Sequence, residues 1–201
     1  MTPPLPPPLP AGFFARSVHE VAPELIGCVL LVDGVGGPVV ECEAYDRTDP
    51  ASHAFRGPTA RNAAMFGPQA HAYVYRSYGV HWLINLVCGV EAGAGEAVLI
   101  RALEPVFGLE VMRARRPVRE DRLLCAGPGR LSEALAIGPD LDQAAIGGGR
   151  LELREPLQKP AVVTGPRIGI SRAVERPWRY AALDSPYVSR PYPWRRRARA
   201  A

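Results

Sequence analysis

Lysine is almost missing from this sequence: among its 24 basic residues Lys159 is the only lysine. Covalent chemistry through a side-chain amine is therefore left one candidate, in Leu157-Gln158-Lys159-Pro160. Long apolar runs are also lacking. The longest weakly polar stretch, Tyr78 to Val90, is interrupted by His81 and Asn85 and falls short of a membrane span. The opening Met1-Thr2-Pro3-Pro4 has no basic n-region and no continuous apolar h-region, so no signal peptide and a cytoplasmic setting are expected. The four cysteines, Cys28, Cys42, Cys88 and Cys125, lie far apart, with no Cys-x-x-C and no Cys/His ligand spacing. That spacing argues against structural zinc and fits buried free thiols in a reducing compartment. No metal, NAD, flavin or nucleoside triphosphate is implied.

What is present suffices for a core: 201 residues, 47% hydrophobic and 22% charged, fit one ordinary domain. The formal net charge is +4. Four arginines, Arg195, Arg196, Arg197 and Arg199, fall in the last seven residues, and without them the body is formally neutral. Basic character is thus local, and only a local patch could steer a polyanion.

Residues 3–10, PPLPPPLP, read as a polyproline-like leader, and residues 1–11 are expected to be disordered. Ser17-Val18-His19-Glu20 matches a capping box, so a short helix should run from about Ser17 toward Ile26, made irregular by Pro23. Cys28–Asp33, a Gly-rich turn at 34–37 and Val39–Tyr45 give a hairpin signal. Further strands are expected at Ala72–Arg76, Trp82–Cys88, Ala97–Leu103, Leu151–Leu153 and Arg167–Ile170, with helices at Gly108–Arg115 and Arg130–Ile137. Strands outnumber helices and strict β-α-β alternation is absent. The expected fold is α+β: a single domain with a mainly antiparallel, curved sheet flanked by short helices. Residues 185–201 read as a frayed basic terminus.

Three patterns carry chemistry. In Glu41-Cys42-Glu43-Ala44-Tyr45, strand alternation puts Glu41, Glu43 and Tyr45 on one face and Cys42 and Ala44 on the other. A solvated strand face is the alternative reading. Tyr73-Val74-Tyr75-Arg76-Ser77-Tyr78-Gly79 holds three tyrosines, two sharing a face and the third at a turn tip. Such a cluster is either core packing or a platform and wedge for a base stack. Asn85 in Trp82–Cys88 and Arg101 in Ala97–Glu104 interrupt apolar strands. A buried amide needs a partner or costs roughly 1–3 kcal/mol. A buried arginine needs an anion, for which Glu43 is a candidate.

The ordered set Glu43-Ala44-Tyr45, His53, Arg61-Asn62-Ala63-Ala64-Met65-Phe66, Tyr73-Val74-Tyr75, Tyr78-Gly79, Asn85, Leu99–Pro105, Gly127–Leu131 and Arg167–Ile170 resembles the alkyladenine (3-methyladenine) DNA glycosylase family. The resemblance spans roughly residues 12–190, leaving 191–201 as a basic C-terminal tail. It implies an enzyme of base-excision repair that binds double-stranded DNA as a monomer. Such an enzyme flips a damaged purine and hydrolyses its N-glycosidic bond, leaving an abasic site. By the same resemblance Glu43 is the base that activates water, which Arg101 and the main-chain carbonyl of Ile168 help orient. Tyr45 on one side, with His53 and Tyr75 on the other, would sandwich the base. Asn85 would disfavour normal guanine, and Tyr78 would fill the vacated stack. Arg130 falls where the family has a basic residue near the DNA backbone. Two departures stand out: Gly79-Val80-His81-Trp82 replaces a methionine and an aromatic pair of mammalian members, and the step from Glu43 to His53 is shorter.

Proximity to these motifs adds Arg56, Arg61 and Arg76 as candidate phosphate contacts. A noncatalytic binding module would leave Glu43 dispensable, and a free-nucleoside hydrolase would have no need of Tyr78. Because the excess positive charge is terminal, deleting Arg195–Ala201 should weaken nonspecific duplex binding. Its salt dependence should flatten by about 0.9 in slope for each phosphate no longer neutralised. Base release should be unchanged, and salt-titrated binding run beside an excision assay checks both.

Overall fold

The computed structural model describes residues 3–192. In chain order its elements are α1 (Val18–Glu24), β1 (Cys28–Val32), β2 (Val35–Tyr45), β3 (Ala72–Ser77), β4 (His81–Cys88), β5 (Glu96–Leu103), α2 (Leu109–Arg115), α3 (Pro128–Leu135), β6 (Leu151–Pro156), β7 (Val162–Gly165) and β8 (Arg179–Ala182). The strands form one antiparallel sheet, ordered β3-β4-β5-β2-β1-β6, with β8 pairing both β2 and β7. The fold is α+β in one domain, as the pattern of elements implied.

Strand alternation divides the sheet into two faces. Cys42, Ala44, Ala72, Val74, Ile84, Val98 and Ile100 point into the main core, where α1, α2 and α3 bring Val21, Met112 and Leu131 against them. The intervening residues, Glu43, Tyr73, Asn85 and Leu99, point to the other face. They also stand in one row: Tyr73 pairs with Asn85, Asn85 with Leu99, and Leu99 with Glu43. Register alone therefore assembles four strands' side chains into a line. At Glu41–Glu43, β2 is paired on both edges, by β5 and by β8.

Helix α1 begins as its sequence requires, with the reciprocal Ser17–Glu20 capping box present. All four cysteines are buried and free. Burial pushes the Cys28 and Cys125 thiols up to about 12, which leaves them protonated and inert.

Several expectations are corrected. The hairpin turn is at Asp33-Gly34, both at positive φ, and β2 begins at Val35 rather than Val39. Gly36 and Gly37 are strand residues under close approach, since an added Cβ would lie 2.0 Å from the Leu30 and Glu104 carbonyl oxygens respectively. Arg167–Ile170 is a loop, not a strand. Pro166 cannot donate to a ladder and Gly169 sits at φ +79°, so pairing stops at Gly165. The leader, expected to be disordered, is laid along the edge of β6. The Leu9 N–H donates to the Leu153 carbonyl at 3.1 Å, and the Glu155 N–H donates to the Pro7 carbonyl at 2.8 Å. An extended Pro-rich segment keeps its carbonyls free, which suits it to a sheet edge. The terminus does not fray at 185, because Tyr192 is buried and Ser189 bonds into the sheet. Residues 193–201, with most of the basic tail, lie outside the described residues. Among the described residues no helix is long and apolar enough to cross a membrane.

Candidate active site

Glu43 is completely buried, which removes the reading of a solvated strand face. Its Oε1 accepts the Ile168 backbone N–H at 2.7 Å and lies 3.2 Å from Arg101 Nη1. Its Oε2 accepts the Tyr45 hydroxyl at 2.9 Å. The Ile168 group that meets the carboxylate is its N–H, turned inward by the loop after Pro166. Burial, then the charge of Glu43, pushes the Tyr45 hydroxyl far up, so it remains a donor. The expected Glu43–Arg101 pairing is present but shared, since Arg101 Nε donates to Glu41 at 2.9 Å.

The three residues that meet this carboxylate, Tyr45, Arg101 and Ile168, line a cavity of about 680 Å³ with an aromatic wall on β3. The Tyr73 and Tyr75 rings stack with centroids 5.4 Å apart at 28°, and His53 stands edge-on to Tyr75 at 4.6 Å and 71°. Tyr73's hydroxyl lies 2.9 Å from His53 Nδ1. Burial, then the nearby Arg61 cation, lowers the His53 imidazole below its ordinary range and favours the neutral ring. Asn85 is buried and donates an amide N–H to the Tyr73 carbonyl at 3.0 Å. Tyr45, His53, Tyr75, Asn85 and Arg101 all line this cavity, as does Ile168.

Tyr78 is 94% exposed at the tip of the β3–β4 hairpin. It and Gly79 have φ of +48° and +69°, the centre of a tight turn closed by the Val80 N–H donating to the Ser77 carbonyl at 2.9 Å. Behind the tip, His81 packs against the first turn of α3, where a Cβ at Gly129 would lie 2.7 Å from the His81 ring. Arg76 is exposed on β3 with its guanidinium 5.8 Å from the Trp82 ring centroid, and Arg61 Nη2 donates to the Arg76 carbonyl at 3.4 Å. Arg130 is exposed on α3, and Arg56 is exposed at the end of the 3-10 turn His53–Arg56. Tyr78 and Arg61 border the cavity; Arg130 instead lines a neighbouring hollow with Arg122 and Ser189.

The sequence model of the methylpurine-DNA glycosylase (MPG) family matches residues 12–186. The chain belongs to the methylpurine-DNA glycosylase family. A protein of Rhodopseudomonas palustris (strain HaA2), provisionally named 3-methyladenine DNA glycosylase, is 55% identical over 92% of each chain. Another so named, from Nitrosospira multiformis, is 55% identical over 91% of this chain and 94% of its own. A third, from Rhizobium meliloti (strain 1021), is 55% identical over 90% and 95%. Family membership gives the enzyme class, DNA glycosylase.

The glycosylase holds its pocket wall from behind with a group that sequence reasoning missed. Asp49 and Arg167, whose side chains are both fully buried, form an ion pair, with Arg167 Nη2 donating to Asp49 Oδ1 at 3.0 Å. Arg167 Nη1 also donates to the Ala44 carbonyl at 3.1 Å. Its guanidinium carbon lies 4.6 Å from the Tyr45 ring centroid and 5.1 Å from that of Trp178. Tyr45 is thereby fixed through its hydroxyl by Glu43 and through its ring by Arg167. The available signal was the run Arg167–Ile170 itself, an arginine beside apolar residues, which a strand assignment concealed. Removing one partner strands a buried charge, so Asp49→Ala in the glycosylase should cost about 3–5 kcal/mol of stability. Urea unfolding of wild type and variant measures it.

Proposed function

We propose that the enzyme flips an alkylated purine from duplex DNA and hydrolyses its N-glycosidic bond with water activated by Glu43. Deaminated purines form a second, neutral substrate group. The relatives' names support 3-methyladenine as a substrate. The observation that carries the mechanism is a buried carboxylate held by Tyr45, Arg101 and Ile168, which themselves line an aromatic-walled cavity, in the same cross-strand row as Asn85 and Tyr73.

Flipping costs a few kcal/mol of stacking and pairing, least for a damaged base, so selection begins before the pocket is reached. Tyr78 fills the gap in the stack. The base enters between Tyr45 on one side and His53 with Tyr75 on the other. A purine alkylated at N3 or N7 is cationic, and an electron-rich aromatic face favours it by about 0.5–2 kcal/mol. The neutral His53 ring adds no opposing charge. Asn85 disfavours normal guanine by crowding its exocyclic amine.

Glu43 accepts the Ile168 N–H on Oε1, beside the Arg101 cation, and the Tyr45 hydroxyl on Oε2, so Oε2 keeps acceptor capacity for a water. The water oxygen bonds to C1′ as the C1′–N bond breaks, and that bond's electron pair leaves with the base. A cationic purine departs neutral, whereas a neutral deaminated purine departs as an anion and takes its proton from solvent. Glu43 takes the water's proton, and Arg101 with Ile168 holds the carboxylate in place. Arg61, Arg76 and Arg130 contact phosphates. No amine enters the sequence of steps, so the product is an abasic site in an unbroken strand.

Glu43→Gln keeps the shape of the side chain and removes its basicity. Base release from methylated duplex DNA should fall at least a hundredfold, consistent with the roughly 10²–10⁴-fold contribution of a general base. Duplex binding should be retained, and borohydride should trap no protein–DNA adduct with the wild type. Normal excision by the variant would sink the mechanism.

A further inference from the structure

Glu41 is a second carboxylate under the site, and the hydrolysis above makes no use of it. It is completely buried. Its Oε1 accepts from Arg101 Nε at 2.9 Å, from Arg179 Nε at 2.8 Å and from the Ser189 hydroxyl at 2.8 Å. Its Oε2 accepts the Ser189 backbone N–H at 2.5 Å. Burying such a charge carries a large desolvation penalty, and well-packed apolar residues usually serve stability as well or better. A network this complete therefore calls for a purpose other than holding the sheet together.

The purpose lies in Arg101, which divides its fork between two carboxylates. Nε is held by Glu41, Nη1 lies 3.2 Å from Glu43, and Nη2 donates to the Ser189 hydroxyl at 3.4 Å. A guanidinium is planar and rigid, so fixing Nε fixes where both Nη atoms lie. Glu41 thus sets the angle at which Arg101 meets Glu43. Charge acts in the same sense. Glu41 and Glu43 balance Arg101 and Arg179; without the Glu41 charge, Arg101 would be drawn onto Glu43 alone and oppose its taking up a proton. Ser189 closes the arrangement from the C-terminal segment, which is itself clasped by Arg179 through the Arg190 carbonyl at 2.5 Å and the Tyr192 ring at 4.1 Å.

We propose that Glu41 is a positioning residue for base release, clamped by Ser189 and acting on Glu43 through Arg101. The proposal rests on Glu43 being the base that accepts the water's proton. It explains why two glutamates are placed on one face of β2 although one suffices for the chemistry.

The test compares full-length wild type, Glu41→Gln, Ser189→Ala and Glu43→Gln by single-turnover release of 3-methyladenine from methylated duplex DNA. Affinity is read in parallel on a duplex carrying a tetrahydrofuran abasic-site analogue. Glu41→Gln should slow release roughly tenfold to a hundredfold, the scale of a misaligned catalytic group, with affinity for the analogue unchanged. Ser189→Ala removes hydroxyl bonds but no charge and should slow release on the order of two- to tenfold, again with affinity intact. That variant decides the matter if Glu41→Gln fails to fold. Wild-type release rates in the folded variants, or a rate loss matched by an equal loss of affinity, would overturn the role of Glu41 while Glu43→Gln stays inactive. Activity in Glu43→Gln would instead overturn the reading on which the proposal rests.

Discussion

Arg101 bridging Glu41 and Glu43 is the constraint around which the rest of this protein is arranged. Two carboxylates on alternate residues of one strand repel each other, and burying both is tolerable only with cations between and beside them. Arg101 supplies the first from β5 and Arg179 the second from β8, the two strands that flank β2 at this point. Each guanidinium comes from a different edge, so the ion cluster reaches β2 from both of its neighbouring strands. The last described residues are recruited as well, since Ser189 supplies both a hydroxyl and an N–H to Glu41. A segment over a hundred residues away in sequence is therefore part of the ion cluster behind Arg101.

The sheet makes this possible by separating its tasks. One face buries apolar residues against the helices, and the other collects the polar and aromatic row of Tyr73, Asn85, Leu99 and Glu43. A register slip of one residue in any strand would exchange the two sets, placing carboxylate and amide in the core. Burial on the helix face thus enforces the geometry of the opposite face. The Asp49–Arg167 pair extends the principle to a loop, fixing the back of Tyr45 with a charge that is itself neutralised.

Much of this was legible in the sequence because it depended on local periodicity. Period-2 alternation placed Glu43 with Tyr45 and Tyr73 with Tyr75, and Ser17-Val18-His19-Glu20 fixed the start of α1. Asn85 and Arg101 stood out as polar interruptions of apolar runs. What escaped was whatever depended on distant partners. Glu41 looked like a neighbour of the useful carboxylate, since Arg179 and Ser189 lie well over a hundred residues away and belong to a short strand and a Pro-rich segment with no periodicity. The run Arg167–Ile170 reads as β-forming, yet Pro166 ends the ladder and an ion pair to Asp49 decides its path. Gly36 and Gly37 look like a turn because glycine serves turns and close backbone approach equally well.

The left-handed backbone at Tyr78 has a consequence for what the hairpin tip presents to solvent. A tyrosine in that conformation is costlier than a glycine, and the cost is met once, when the hairpin folds. The ring is then held clear of the surface before any duplex arrives, so little backbone freedom is lost at each encounter. On the proposed role of Tyr78 as the wedge, undamaged base pairs would resist the intrusion and release the protein quickly, whereas weakened pairs would yield. Dwell time on each base pair would then be the first measurement of damage, taken before any base reached the cavity.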